Sequence, residues 1–355
     1  MKKMTICYFG IYDKNYSRNK ILISGLKKNG VEVIECNDRT KSLIKYFKLI
    51  GQYWRKGRHS DLVIVGFPGQ TIMPLAKLIC RKKIVFDAFL SVYDSYVFDR
   101  KTIKPESLKA RYYWFLDWTS CKLADKILLD TNTYIDYFIK TFNIKPEKFF
   151  RSFLGSDDTL FYPRKIKKNT DKFLVYFYGT YIPLQGIEYI IEAANILKNK
   201  NILFKITTSK KGYKELRKKV DNLKLENTVK LINFVPTEEL SQYISQADIC
   251  LGIFGNTDKA KRVIPNKLFD CIAMKKPVIS ADTPAIREAF KDNYNLALCK
   301  IADGQSLSNK ILDLKNNFQL RAKLAVNSYE LYKKKFRPKI IGLKLLVFLK
   351  ELNEN

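Results

Sequence analysis

Short apolar runs alternate along this chain with stretches whose apolar residues return every three or four positions, a pattern that predicts parallel strands joined by helices. Thr5–Phe9, ending at Gly10, predicts the first strand. Ile21, Leu22 and Leu26 share a helical face, and Val31–Ile34 predicts the next strand. Runs at Asp61–Gly66, Ile84–Phe86, Lys126–Leu129 and Phe149–Phe153 continue the series, and the basic, proline-containing stretch Pro163–Lys172 interrupts it. A second series follows at Phe173–Phe177, Ile202–Thr207, Val229–Ile232, Ile249–Ile253, Val278–Ser280 and Leu296–Leu298. The expectation is an α/β protein of two Rossmann-like, doubly wound parallel-sheet domains, residues 1–165 and 166–334. A closing helix occupies 335–355, with Pro338 in its first turn and Ile341, Leu345, Phe348, Leu349 and Leu352 on one face.

Two helical stretches carry unusual side chains. In Lys41–Arg58, Leu43, Ile44, Phe47, Ile50 and Trp54 fall on one face and Lys41, Lys45, Lys48 and Arg55 on the other. Packing of that apolar face on the sheet is the favoured expectation. Basic residues beside Tyr53 and Trp54 also suit an interface with anionic lipid. Lys104–Leu123 is rich in aromatics (Tyr112, Tyr113, Trp114, Phe115, Trp118), which are expected in the core.

Charge changes the picture more than composition does. The 355 residues hold 65 Lys and Arg against 35 Asp and Glu, a formal net charge of +30. Such an excess favours an anionic partner: a phosphorylated ligand, an anionic membrane surface or nucleic acid. No compact recognition motif for DNA or RNA is present, so nucleic acid is not expected. The seven cysteines are scattered, without a C-x-x-C pair, which fits a reducing compartment and no zinc site. Near the start, Asp13 interrupts the apolar run, so no secretory signal is expected, and no apolar run approaches the length needed to span a bilayer. The expectation is a cytoplasmic protein, with peripheral attachment to the inner face of the membrane.

Candidate chemistry concentrates in Ala247–Ile286. A strand, a glycine-punctuated loop, Pro265-Asn266 and a helix marked by Leu268, Ile272 and Ala273 lead through Lys275-Lys276-Pro277 into another strand. The start of that helix is a natural seat for an anion. Lys267 adds a full charge, and Asp270 follows one turn on. A phosphate seat beside a carboxylate points to a nucleotide, although an ordinary α/β unit with a solvated loop has the same spacing. In the first half, Asp87 follows a strand directly, where ligands of open α/β sheets collect, and Asp94 lies downstream. Gly10 would let a ligand approach the backbone, and Arg18 opens the next helix.

The run IPNKLFDCIAMKKPVI resembles the donor-site helix of the retaining glycosyltransferases of family 4, which have the GT-B fold. Asp270 stands where that family places its ribose-binding Glu. YGTYIPLQGIEYIIEAANIL (Tyr178–Leu197) and RSFLGSDDTLFYP (Arg151–Pro163) are similar to two further family segments in the same order. The resemblance implies two domains facing a central cleft, with the C-terminal helix returning to the first. It also implies transfer from a nucleotide-diphosphate sugar with retention, without metal or other cofactor, to a growing surface polysaccharide or glycolipid on a lipid-linked or glycan acceptor. Gly179, Thr180, Gln185, Pro265, Asn266, Lys267 and Asp270 would then hold the donor, with Val235, in Phe234-Val235-Pro236, beside the base, and Gly10 and Arg18 toward the sugar.

The sequence departs from the family where relatives carry Arg and Lys, having Thr180 and Gln185. Lys259, Lys261, Arg262 and Lys267 are left to supply positive charge. Arg262 stands where the first Glu of the E-x7-E pattern would fall, and Asp258 is the substitute carboxylate. The His of the His-Asp pair that contacts the donor sugar in many relatives is not carried over, because the single His59 lies in a basic loop. Asp87 or Asp94 is expected to replace it, as an acceptor for a sugar hydroxyl or as the base for the acceptor. A nucleotide-sugar epimerase and a basic membrane- or nucleic-acid-binding protein without catalysis are the alternatives. Thr180, Gln185 and Arg262 favour the second; Lys267, Asp270, Gly10, Gly179 and Gly186 oppose it.

Overall fold

In a computed structural model that describes residues 3–354, Thr5–Gly10 forms the first strand, β1. The chain divides into two units, one made of the residues up to Asp157 with those from Lys335 on, the other of Asp158–Lys334. After β1 come α1 (Ser17–Lys28), β2 (Glu32–Asn37), α2 (Ile44–Gln52) with a π-helical extension at Tyr53–Gly57, β3 (Leu62–Val65), α3 (Met73–Ile79), β4 (Ile84–Asp87), α4 (Leu108–Leu123), β5 (Lys126–Leu129), α5 (Asn132–Phe142) and β6 (Phe149–Arg151). The second unit runs β7 (Phe173–Tyr178), α6 (Ile187–Ile196), β8 (Ile202–Thr207), α7 (Lys210–Asn222), β9 (Val229–Ile232), α8 (Thr237–Gln246), β10 (Ile249–Leu251), α9 (Asp258–Arg262), α10 (Asn266–Ala273), β11 (Val278–Ala281), α11 (Pro284–Arg287), β12 (Ala297–Cys299), α12 (Gly304–Asn316) and α13 (Phe318–Lys335). The last helix, α14 (Pro338–Glu354), belongs to the first unit.

The first unit is a parallel six-stranded sheet in the order β2-β1-β3-β4-β5-β6. Parallel crossovers are right-handed, so strands that step the same way across a sheet place their helices on the same face. The steps from β2 to β3, β3 to β4 and β4 to β5 run one way, which puts α2, α3 and α4 together. The step from β1 to β2 runs the other way and puts α1 on the opposite face. There α14 packs on α1 at unusually close range. A Cβ at Gly342 would meet the Gly25 carbonyl carbon and oxygen at 2.1 and 2.2 Å, and one at Gly25 would meet Pro338 O at 2.4 Å, so the crossing admits only glycine. Leu345 and Leu349, fully buried beside it, each contribute about 1.5–3 kcal/mol of burial. Phe348 stacks on Phe150 with ring centroids 4.1 Å apart.

Two packing expectations are corrected. In α2 the buried positions are Leu49, Tyr53 and Gly57, a narrow stripe drawn against the sheet, since a Cβ at Gly57 would meet the Cys7 and Cys36 sulfurs at 2.9 and 3.2 Å. The apolar positions read as the packing face lie around the helix from that stripe: Leu43 and Phe47 are each 74% exposed, and Ile44 and Trp54 are exposed too. In α4, Tyr112 and Phe115 are exposed, while Trp114 is half-buried and donates Nε1–H to Thr141 O at 3.1 Å.

The units divide ahead of the basic stretch that suggested a linker. Up to Gly155 the chain packs on the first unit: Phe153 lies edge-on to Phe336, and a Cβ at Gly155 would meet Phe336 O at 2.4 Å. Beyond, Arg164 donates to Ser241 Oγ at 3.1 Å and Lys168 pairs with Asp248 at 2.7 Å, both within the second unit.

The second unit is also a parallel six-stranded sheet, in the order β12-β11-β10-β7-β8-β9. Its core runs through Val175, Phe177, Ile190, Phe204, Ile206, Leu251 and Ile279. The chain starts at β7, works outward to β9, then returns to β10 on the other side of β7. The crevice beyond the carboxyl ends of β7 and β10 is therefore the topological switch point. Among the described residues no helix is long and apolar enough to cross a membrane.

Candidate functional site

The switch point of the second unit gathers Gly179, Gln185, Lys267 and Asp270. Period-two alternation along β7 puts Tyr176 and Tyr178 on one face and Phe177 on the other, and Gly179 and Thr180 continue past the strand end. Gln185 and Gly186 lie in the turn before α6. That turn is tied to the loop after β10, where Phe254 N–H donates to Gln185 O at 3.1 Å and Gly255 N–H to Leu184 O at 3.3 Å. Pro265 is the N-cap of α10 and brings no side-chain acceptor for the N–H groups of the first turn.

Lys267 leaves that first turn inward and is buried. Its Nζ donates to Gln185 Oε1 and sits 3.8 Å from the centroid of the Phe177 ring. Among the described residues no carboxylate lies within ion-pair distance of it. Burial pushes its pKa well below the usual lysine range. The pocket is fitted to the lysine, since a Cβ at Gly179 would meet Nζ at 2.8 Å and Gln185 Oε1 at 3.0 Å. On the next turn Asp270, also buried, accepts a hydrogen bond from Tyr178 Oη at 2.7 Å. Burial, then the neighbouring Asp270, raises the Tyr178 phenol well above its ordinary pKa, so it remains a donor. A buried lysine without a carboxylate partner at a helix N-terminus, one turn from an oriented carboxylate, has the chemistry to receive an anion carrying hydroxyl groups.

The remaining candidates of this unit are less central. Thr180 is exposed at the rim. Asp258 is exposed and pairs with Lys261 at 3.4 Å, so it is a surface carboxylate and not a buried substitute for the family's Glu. Arg262 ends α9 half-buried, and Asn266, also half-buried, is the first residue of α10. Val235 is buried, but it follows the edge strand β9, which β8 separates from β7.

In the first unit the structure joins Arg18 and Asp87 to each other. Both side chains are fully buried. Arg18 donates from Nε to both Asp87 oxygens at 3.0 and 3.1 Å, from Nη2 to Oδ1 at 2.8 Å, and from Nη1 to Ser152 O at 2.6 Å. Burial lowers the guanidinium's pKa, but the Asp87 carboxylate more than offsets this and holds it charged. Neither residue is open to a sugar or an acceptor, so the expected roles of Arg18 as a ligand contact and Asp87 as a base are corrected to a structural ion pair. Asp94 is buried too and accepts from Tyr134 Oη at 3.1 Å, which corrects its role in the same way. Gly10 ends β1 at this sheet's own switch point, between β1 and β3. Asn19 pins the loops there, accepting from Tyr8 Oη at 2.9 Å and donating to Phe67 O at 2.6 Å.

Sequence reasoning missed two residues. Tyr178 entered only as the first residue of the family-like segment Tyr178–Leu197, although its place two positions from Tyr176 puts it on the α10 side. Asp117, within the aromatic helix α4, accepts from Ser91 Oγ at 2.7 Å, Tyr93 N at 2.9 Å, Val92 N at 3.2 Å and Gln70 Nε2 at 3.4 Å. Burial pushes its carboxyl up to about 6 despite these donors. Among the described residues no group of three His, Cys, Asp or Glu side chains is placed to hold a metal ion.

Comparison with known proteins bears on both units. Residues 158–331 match the family model described as Glycosyl transferases group 1. The chain is 32% identical over 133 residues to the amylovoran biosynthesis glycosyltransferase AmsK of Erwinia amylovora, covering 37% of this chain and 33% of that protein. It is 27% identical over 165 residues to an uncharacterized glycosyltransferase of Methanocaldococcus jannaschii, covering 44% and 42%. The chain thus spans less than half the length of these curated relatives. Anabaena Alr3699/HepE, solved in complex with UDP, superposes with a TM-score of 0.74 at 16% identity over 99% of this chain and 100% of that one. Sucrose-phosphate synthase from Thermosynechococcus elongatus gives 0.76 at 12% identity over 99% of each. At these identities the likeness carries the fold, the two-unit α/β arrangement expected as GT-B.

Proposed function

We propose that this chain, whose residues 158–331 match the family model described as Glycosyl transferases group 1, transfers a sugar from a nucleotide-diphosphate sugar to a growing surface polysaccharide or glycolipid, with retention and on a lipid-linked acceptor. The observation that carries this reading is the buried Lys267 ammonium without a counter-charge at the start of α10, with Asp270 oriented by Tyr178 one turn away. A diphosphate supplies the missing negative charge, and ribose hydroxyls donate to the carboxylate. Two relatives support the reading: AmsK is named for amylovoran biosynthesis, and HepE, which shares the fold, binds UDP.

In the proposed step the bond between the anomeric carbon and the phosphate oxygen breaks, and the diphosphate leaves with the electron pair. Lys267 and the α10 N-terminus stabilise the charge that develops there. The acceptor hydroxyl bonds to the same carbon on the face the nucleotide leaves, and its proton passes to the departing phosphate oxygen. Asp87 and Asp94 take no part, and we assign no metal or cofactor to the step.

The test is thermal stability of the purified chain with UDP, GDP or ADP, in wild type beside Lys267→Met and Asp270→Ala. A ligand at a hundredfold excess over Kd adds about 2.7 kcal/mol to the native state. One nucleotide should raise the melting temperature, and both substitutions should remove the rise. No rise with any of the three, in a folded protein, would overturn the reading.

A further inference from the structure

The helices α2, α3 and α4, which share one face of the first unit, expose large apolar side chains that the fold does not use. Leu43, Phe47 and Trp54 stand on α2 and its π-helical extension, Leu78 (83% exposed) on α3, and Leu108 (82% exposed) and Phe115 on α4. The three helices are neighbours. A groove lined by Trp54, Arg58, Ile79 and Arg81 joins the end of α2 to the end of α3. Ser120 of α4 donates to Gln70 O, just before α3, at 3.0 Å. Scattered apolar residues on a surface are ordinary, but a run of them across three adjacent helices calls for a partner.

Charge on the same face says which partner. Residues 41–58 and 73–83 contain no Asp or Glu, and residues 104–123 contain only Glu106 and the buried Asp117. Lys45, Lys48 and Arg55 occupy the flank of α2 and its extension beside the exposed apolar stripe, with Lys48 also 3.7 Å from Asp38. Arg81 and Lys82 lie just past α3, and Lys109 within α4. A second copy seated here by two-fold symmetry would set this basic surface against itself, which electrostatics opposes. Nucleic acid would meet the charge, yet leave Leu43, Leu78 and Leu108 without a role, since aliphatic side chains neither stack on bases nor contact phosphate. An anionic lipid bilayer satisfies both features: headgroups pair with Lys and Arg while Leu, Phe and Trp enter the acyl boundary.

We infer that the outer face of α2, α3 and α4 docks on an anionic bilayer, with Leu43, Phe47, Trp54, Leu78 and Leu108 as inserting groups. This face lies on the unit that does not carry Lys267, so membrane binding and nucleotide binding are separately lost.

The test is flotation of the whole chain with vesicles of phosphatidylcholine alone or with about 30% phosphatidylglycerol, for wild type, Leu43→Ser/Phe47→Ser and Lys45→Gln/Lys48→Gln. Leu43, Phe47 and Lys48 are exposed and Lys45 is half-buried, so the fold is expected to be retained, and nucleotide-induced stabilisation serves as the control. Wild type is expected to float with the anionic vesicles only, and each double variant to bind about tenfold more weakly. Trp54 emission should shift to shorter wavelength on binding, a change missing in Trp54→Phe. Three results would overturn the inference: no preference for anionic vesicles, equal binding by Leu43→Ser/Phe47→Ser, or a wild-type dimer that this variant converts to monomer. Tighter binding to single-stranded RNA than to vesicles, unaffected by the Leu43→Ser/Phe47→Ser change, would assign the face to nucleic acid instead.

Discussion

Replacing Asp87 by alanine separates the ion-pair role from the catalytic one. In the native unit the Arg18 guanidinium has three hydrogen bonds to Asp87, and both side chains are fully inaccessible. Asp87→Ala leaves a buried guanidinium with only the Ser152 and Phe153 carbonyls for acceptors. Removing one partner of a buried pair costs about 3–5 kcal/mol, because the remaining charge keeps its desolvation penalty without its attraction. For a unit of this size that lowers the melting temperature by about 6–20 °C. All three tryptophans, Trp54, Trp114 and Trp118, belong to the first unit, so tryptophan fluorescence during heating or urea denaturation follows that unit selectively. Arg18→Met in the Asp87→Ala background removes the stranded charge and should restore more than half of the loss. A shift below about 2 °C in Asp87→Ala, together with lost transfer, would refute the reasoning and return Asp87 to the chemistry.

Further outcomes follow from other buried groups. The native Asp117 carboxyl keeps its proton up to about 6 against an ordinary 3.8; the unfolded chain releases it first, so stability falls by up to about 3 kcal/mol as pH rises across that window. Asp117→Asn should flatten this part of the urea-denaturation profile against pH, and an unchanged slope would sink the assignment. A bound diphosphate would raise the lowered pKa of Lys267 again, so nucleotide binding is linked to proton uptake and weakens with rising pH. Calorimetry in buffers of different ionisation enthalpy should show that uptake in wild type and its absence in Lys267→Met. Gly342→Ala gains up to about 1 kcal/mol of helix propensity, but its Cβ meets the Gly25 backbone at 2.1 Å. Net destabilisation of the first unit is expected, and a higher fluorescence-detected melting temperature would count against the close crossing.

The strands and the α10 site were legible because both depend on local chemistry. Buried parallel strands read as unbroken apolar runs, and Pro265 through Asp270 combine a helix start, a cation and a carboxylate within one turn of one another. What was not legible depends on where distant residues meet. Arg18 and Asp87 are 69 positions apart, and either alone looks like a polar group at a strand or helix end. Tyr178 reaches Asp270 across 92 positions. Periodicity identifies the apolar positions of α2 but not which of two stripes meets the sheet; Gly57, by letting the chain approach Cys7 and Cys36, selects the stripe of Leu49 and Tyr53. The departures at Thr180 and Gln185 looked like losses. In the structure Gln185 is the acceptor that holds Lys267 in place.

The close crossing of α1 and α14 bears on how the protein is made. The first unit is assembled from two stretches of chain with the whole of Asp158–Lys334 between them. During synthesis the sheet of β1–β6 emerges early, but the seat on α1 at Gly25 stays open to solvent until Gly342 leaves the ribosome. The second unit, continuous in sequence, can close its sheet meanwhile. The nascent first unit therefore waits with the apolar ground beneath α14 uncovered, and a chaperone that shields this ground should matter more to its yield than one that acts on the second unit.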